Sequence, residues 1–316
     1  MQQGILPEIQ QPWGFDGVKR QSRAVYSDSR NFYVQPDHPE ATDANSGEDP
    51  EHPLSTIARA VVLARAYMGD VIYVMGSDAW QYGAGTQAGI IESVTIPADK
   101  PGLSLIGVGA GSMGVYWQPA SDGGTCLTIL AMDTHVVNFC FWGGAFGSGQ
   151  RGIFCDWGAP TKYGENTVIQ SCTFTEDCDY GIQLEYAYYV KILDCMFQES
   201  GNYGIYVDPA GQGIRYCQII NNLFLNCDAA MGLRGADDCL VEGNKIFNSR
   251  AQSGAAATNE GIDTTGGLHN LVMANFFSCL LPVPANGDYD DLNTAAATDA
   301  WVGNLCMNGA ATTNPT

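Results

Sequence analysis

Positive charge is scarce in this chain. Against 34 Asp and Glu stand only 14 Lys and Arg, giving a formal net charge of −20. A surface of that sign repels nucleic-acid phosphates and anionic lipid headgroups, which excludes both as broad partners. It also repels a polyanionic substrate unless bound cations bridge the charges. Histidine is nearly absent, and His38, His52, His135 and His269 are scattered without the spacing a zinc site needs. No C-x-x-C pair occurs among the 11 cysteines, an odd count. That pattern reads as interior thiols in a reducing folding compartment rather than a disulfide framework. No apolar run is long enough to cross a membrane, and Met1 to Gln11 lack a basic segment followed by an apolar one. The expectation is synthesis in a host cytoplasm without the common export route. A phosphate loop is missing too: Gly107-Val108-Gly109-Ala110-Gly111 leads into Met113-Gly114-Val115 and not into a helix.

What the chain does have is glycine, 38 residues of it, with abundant Asn, Thr and Tyr, a mixture suited to short strands and turns. Two motifs alternate through its second half. One is Gly followed by an aliphatic residue, at Gly152-Ile153, Gly181-Ile182, Gly204-Ile205, Gly232-Leu233 and Gly261-Ile262. The other is a strand ending in Cys or Asn, then one residue, then an apolar side chain. It occurs at Cys172-Thr173-Phe174, Cys195-Met196-Phe197, Asn222-Leu223-Phe224, Asn244-Lys245-Ile246, Asn275-Phe276-Phe277 and Asn304-Leu305-Cys306. A shared period of about 27 residues marks a solenoid, in which each unit buries its apolar side only by stacking on the next. Parallel coils about 4.8 Å apart put equivalent residues in columns. Phe174, Phe197, Phe224, Ile246 and Phe277 are expected to form an interior ladder. Cys172, Cys195, Asn222, Asn244, Asn275 and Asn304 are expected to form a second one at a turn, each amide donating to one coil and accepting from another. Insertions collect in one connection, with Ser249 to Thr258 reading as a protruding loop.

Residues 30–75 carry a denser pattern. A strand at Asn31-Phe32-Tyr33-Val34 precedes the polar loop Asp43-Ala44-Asn45-Ser46-Gly47. Apolar residues at Ile57, Ala60, Val61, Ala64 and Met68 then share one helical face. Ser55 or Thr56 is suited to N-cap that helix and Gly69 to stop it, just before the strand Asp70-Val71-Ile72-Tyr73-Val74. An amphipathic helix here would cover the first open coil. The order Phe-Tyr-Val, Asp-x-Asn-x-Gly, Pro-x-x-Thr-Ile-x-x-Ala, Gly-Asp-x-Ile-x-Val resembles the N-terminal signature of the pectate-lyase-like β-helix superfamily, over roughly residues 30–308. The resemblance implies an all-β, right-handed parallel β-helix with an N-terminal amphipathic capping helix. That superfamily includes polysaccharide lyases, glycoside hydrolases, phage tailspikes and virion proteins, so the fold by itself does not assign the activity. The chain divides into an N-terminal arm (1–29), the first strand, capping helix and first coil (30–75), further coils (76–309) and a tail (310–316).

With Ile153, Ile182, Ile205 and Ile262 inward, alternation turns two columns outward. The first holds Phe154, Gln183, Tyr206, Arg234 and Asp263; the second holds Asp156, Glu185, Asp208, Ala236 and Thr265. Asp156, Glu185 and Asp208 on successive coils suit a glycosidic-bond-cleaving pair or a Ca²⁺ site, with Arg234 placed to neutralise a uronate. The competing reading is that these acids simply face water at the end of a strand. Tyr186, Tyr188 and Tyr206 are candidates for stacking on sugar rings. The layout of an arm before a capped solenoid is similar to that of virion β-helix proteins. It implies a non-enzymatic tailed-phage virion protein on capsid or tail, self-associating as a trimer and contacting other virion proteins or host glycans. The alternatives are a polysaccharide lyase or glycoside hydrolase, free or as a depolymerising tailspike, and a carbohydrate-binding module. No cofactor is required in any of these, save Ca²⁺ if the acidic column holds it.

Overall fold

The computed structural model describes residues 28–76, 89–109, 115–143, 149–156, 164–175, 178–207, 213–247, 261–264, 266–278 and 298–306. The arm at 1–29 (but for its last two residues), the tail at 310–316, the Ser249–Thr258 loop and Asp208 lie outside them. The chain is a right-handed parallel β-helix. Among the described residues its strands form sheets of ten, nine and seven strands, each strand pairing in parallel with its equivalents one coil earlier and one coil later. A two-stranded sheet, Gly164–Glu165 with Ala187–Tyr188, decorates one corner.

Each coil therefore has three strands where the sequence motifs marked two. One coil runs through Lys191–Leu193, Met196–Gln198 and Tyr203–Val207. The short motif with Cys or Asn is a corner between the first two. There a single residue takes a left-handed conformation, Asp194 at φ 53°, Asn221 at 57° and Ala274 at 53°, and turns the chain by one step. Even these corner residues bond to the next coil: the Asp194 N–H donates to the Ile220 carbonyl and the Asn221 N–H to that of Glu242.

The predicted ladders are present. Phe174, Phe197 and Phe224 are buried and nearly parallel, with ring centroids 4.8 and 4.7 Å apart, and Phe141 extends the stack at 5.1 Å. This stack also explains the repeated glycine. A Cβ on Gly181 would lie 2.6 Å from the Gly204 carbonyl oxygen and 2.7 Å from the Phe197 ring. A Cβ on Gly152 or Gly204 would meet the Phe174 or Phe224 ring just as closely. The structure corrects one member of the series. Ile205 pairs with Met231, so the equivalent of Gly204-Ile205 is Ala230-Met231, not Gly232-Leu233. In that coil the ring column holds Ile246 in place of Phe, and the smaller side chain leaves room for an alanine methyl.

The asparagine ladder is fully bonded. Asn222, Asn244 and Asn275 each donate Nδ2–H to the Oδ1 of the next asparagine at 3.0, 2.9 and 3.0 Å, ending on Asn304. Each also donates to a backbone carbonyl of the preceding coil. The Oδ1 atoms of Asn244, Asn275 and Asn304 each accept a second bond, from a backbone N–H, and the Asn222 Oδ1 accepts from the Cys195 N–H. Upstream, the Cys172 and Cys195 thiols point at carbonyl oxygens of the same kind. A second ladder, not expected, occupies the opposite end of the ten-stranded sheet's strands. There Cys217, Cys239 and Asn270 stack, and Asn270 accepts from the Cys239 N–H while donating to the Ala236 carbonyl. Nine cysteines, from Cys126 to Cys239, are buried and outside any disulfide, and burial pushes the Cys140 thiol up to about 12.

Helix α1, Ile57–Leu63, covers the first coil with Ile57, Ala60 and Val61. Thr56 caps it, accepting from the Arg59 N–H, while Asp43 holds Ser55 and Thr56 through four hydrogen bonds. Glu92, from the coil beneath, accepts from the Ile57 and Ala58 N–H groups. The helix stops six residues before Gly69. Ala64 turns extended, Lys100 takes up the Val62 and Ala64 carbonyls, and the chain delivers Arg65 to buried Asp70. Met68 is half-buried outside the helix.

Two predictions follow from this packing. Asn244→Ala orphans donors on Asn222 and the Ile219 carbonyl, and should cost about 3 kcal/mol or more at 1–3 per orphaned buried group, measured by urea unfolding. Burial alone would raise the Asp70 pKa, but donors from the Arg65 side chain and the Arg30 and Arg65 backbones outweigh it and hold it below the usual carboxylate value. Its stabilising contribution is therefore present above the unfolded pKa and lost as pH falls through the folded one. Glu92 runs the other way, because burial raises it. Asp70→Asn should lower stability at neutral pH by up to about 3–5 kcal/mol and flatten the fall in stability below about pH 5.

Candidate functional site

Chemistry-bearing side chains converge on the outer face of the seven-stranded sheet, at the strands Arg151–Asp156, Tyr180–Glu185 and Tyr203–Val207. Their inner faces are committed to the core through Ile153, Ile182, Ile205, Cys155, Leu184 and Val207. Alternation then turns the remaining positions outward. Register aligns Phe154, Gln183, Tyr206, Gly232 and Asp263 in one column, and Asp156 beside Glu185 in the next. Arg151, Tyr180 and Tyr203 form a third, immediately before the glycines.

The columns interlock. The Tyr180, Tyr203 and Tyr206 rings pack together, with centroids 5.2 Å (Tyr180–Tyr206) and 5.0 Å (Tyr203–Tyr206) apart, all three half-buried. The Arg151 guanidinium lies 5.4 Å over the Phe154 ring and 6.0 Å over that of Tyr180. Its Nε–H donates to the Gln183 Oε1, and the Gln183 Nε2–H donates to the Glu185 Oε1 at 3.1 Å. Gln183 is 4% exposed and so relays between a cation and a carboxylate one coil apart. At the far end Arg234 pairs with buried Asp263 at 2.6 Å.

The sequence-derived candidates fall into place unevenly. Asp156 and Glu185 are Cα partners on adjacent coils, whereas Asp208 lies outside the described residues. Among the described residues no group of three or more His, Cys, Asp or Glu side chains is placed to hold a metal ion. Gly232, not Arg234, aligns with Gln183 and Tyr206, and Arg234 lies two residues on, in the turn after that strand. The two-residue misalignment at Gly232-Leu233 had displaced it. Tyr206 joins the tyrosine cluster. Tyr186 occupies the left-handed bend after Glu185, and Tyr188 the two-stranded corner sheet, so the three candidate tyrosines do not form one platform. Arg151, Tyr180 and Tyr203 were missed. Their signal was available, one aromatic or basic residue directly before each glycine, but the alternation was counted from the glycine onward.

A family model described as "Right handed beta helix region" matches residues 155–246. No curated protein matches the chain. Among solved structures, a GH136 lacto-N-biosidase from Eubacterium ramulus is similar at 13% identity and a TM-score of 0.59, covering 91% of this chain and 57% of its own. A PL6 family alginate lyase, AlyGC, is similar at 12% identity and a TM-score of 0.54, covering 89% and 40%. The chain thus spans less than two thirds of either protein. ORF18 of Geobacillus virus E2 covers 92% of this chain and 62% of its own at 9% identity, with a TM-score of 0.38, too low to bear on fold or function. At such identities the first two likenesses establish a fold shared with carbohydrate-active enzymes, and no more.

Gln183→Leu, similar in volume, removes both bonds of the relay. It should cost about 1.5–3 kcal/mol, the range for hydrogen bonds to charged groups, in a denaturant titration.

Proposed function

We propose that the outer face of the seven-stranded sheet binds a glycan. The observation that carries this reading is the half-buried Tyr180, Tyr203 and Tyr206 cluster set beside the Arg151–Gln183–Glu185 relay. Aromatic rings supply apolar contact to the C–H faces of a pyranose, and oriented charged and amide groups supply its hydroxyl partners. The net charge of −20 favours a neutral glycan over a polyuronate.

A second reading, hydrolysis of the bound glycan, is favoured by the Asp156–Glu185 pairing. Coils about 4.8 Å apart bring two carboxyl groups close to the spacing of a retaining acid and nucleophile pair. For the setting we propose a tailed-phage particle, with the solenoid as a projecting module. The nine buried free thiols support folding in a reducing cytoplasm before assembly. Signal for the protein that co-sediments with purified particles through a salt wash would bear this out, and purely soluble signal would remove it.

Calorimetry on hits from a neutral-glycan array tests the site. Tyr203→Ala with Tyr206→Ala should lose about tenfold or more in affinity with an unchanged circular dichroism spectrum. Unchanged affinity would overturn the assignment. Glu185→Gln should abolish release of reducing sugar if hydrolysis occurs, while leaving binding within about a few-fold.

A further inference from the structure

Neither the backbone nor the core explains the glycine at position 232. Gly232 takes no left-handed conformation, and the place that serves the interior ring column in its coil belongs to Ala230. Its own place is the outward column of Phe154, Gln183, Tyr206 and Asp263, where every other described member carries a side chain. Bare as it is, Gly232 is buried. A Cβ built there would lie 2.7, 3.0 and 3.2 Å from Cε1, Cδ1 and Cζ of Tyr203, its three nearest atoms. Three successive ring atoms at nearly one distance put that point over the face of the ring rather than beyond its edge. Tyr203 aligns with Ala229, so its ring reaches diagonally, one coil on and three residues along. The same diagonal step carries Arg151 to Gln183 and Tyr180 to Tyr206. Those two meet a side chain at the end of the step. Tyr203 meets none, and its ring fills the empty place.

We infer that Gly232 is a positioning residue of the glycan face, because its lack of a side chain sets where the Tyr203 ring stands. The inference deepens the glycan reading and rests on it. With position 232 bare, a tyrosine borrowed from the preceding coil takes the fourth place in the outward column, between Tyr206 and Asp263. The surface offered to a sugar then runs without a gap from Gln183 to the Arg234–Asp263 ion pair, with the Tyr206 ring 5.0 Å from that of Tyr203. A methyl group at 232 would overlap the Tyr203 ring and drive it from this place. The ring is half-buried and ends a flexible side chain, so it can swing toward solvent without disturbing the core. The change therefore falls on the binding surface and not on the fold. Apolar contact to a pyranose depends on where the ring face lies, and that is what Gly232 controls.

Nuclear magnetic resonance on the full chain, labelled at glycine α-carbons and tyrosine rings, tests the placement without any glycan. The Gly232 α-protons should show an Overhauser contact to the Tyr203 ring and an upfield ring-current shift, both lost in Tyr203→Ala. Calorimetry with the tightest hit from the neutral-glycan array tests the role. Gly232→Ala should lose about three- to tenfold in affinity, with unchanged circular dichroism and melting temperature. Added to Tyr203→Ala it should lose nothing further, because the ring it displaces is already gone. A glycine needed only by the fold would instead lower the melting temperature and weaken binding equally in both backgrounds, which would overturn the inference. So would a missing Tyr203–Gly232 contact, or a Gly232→Ala chain that binds as tightly as the wild type while the Tyr203→Ala, Tyr206→Ala chain does not. Unchanged binding by that double tyrosine variant is a different failure: it removes the glycan reading, and this role with it, even where the contact between Tyr203 and Gly232 is observed.

Discussion

Parallel hydrogen bonding between successive coils is the constraint on which everything else here depends. It fixes each residue directly above its equivalent at about 4.8 Å, so every position must tolerate a near copy of itself on both sides. Phenylalanine does so by stacking, and asparagine by using both ends of its amide. Cysteine does so as a small buried side chain pointing at carbonyls. Like charges tolerate it worst, and no two like charges stack on the outer face of the ten-stranded sheet, where Lys191 aligns with Gln218 and Glu242 with Ile220. Only Asp156 beside Glu185 runs against that rule on the outer faces discussed here, which is why the pair stands out.

Much of this was legible in the sequence because a solenoid writes its contacts as a period. The phenylalanine ladder, the asparagine ladder and the start of helix α1 all follow from residues at fixed offsets. The failures are local. Gly232-Leu233 imitates the motif of Gly204-Ile205, yet the register passes through Ala230-Met231, where Ile246 has replaced a ring and glycine is no longer needed. Helix α1 ends early because Lys100, distant in sequence, and Asp70, five residues past Arg65, claim the groups its last turns would have used. The second ladder was hidden because Cys217, Cys239 and Asn270 are chemically mixed, and only coordinates show them to be one column.

The candidate site was half legible for a related reason. Alternation predicts which side chains face outward within a strand, and it found Phe154, Gln183, Tyr206, Asp156 and Glu185. It does not carry across the glycine at the strand's start, where the face of the preceding residue depends on how the corner bends. Arg151, Tyr180 and Tyr203 sit at that point, and they supply the aromatic cluster and the cation that give the face its character.

The asparagine ladder has a direction. Each amide gives its hydrogens both backward and forward, but its oxygen serves only the coil before it, so a coil's own donors are satisfied by the coil that comes after. During synthesis from the N-terminus every newly emerged coil is therefore incomplete until its successor arrives, and completion travels outward from the helix-capped end.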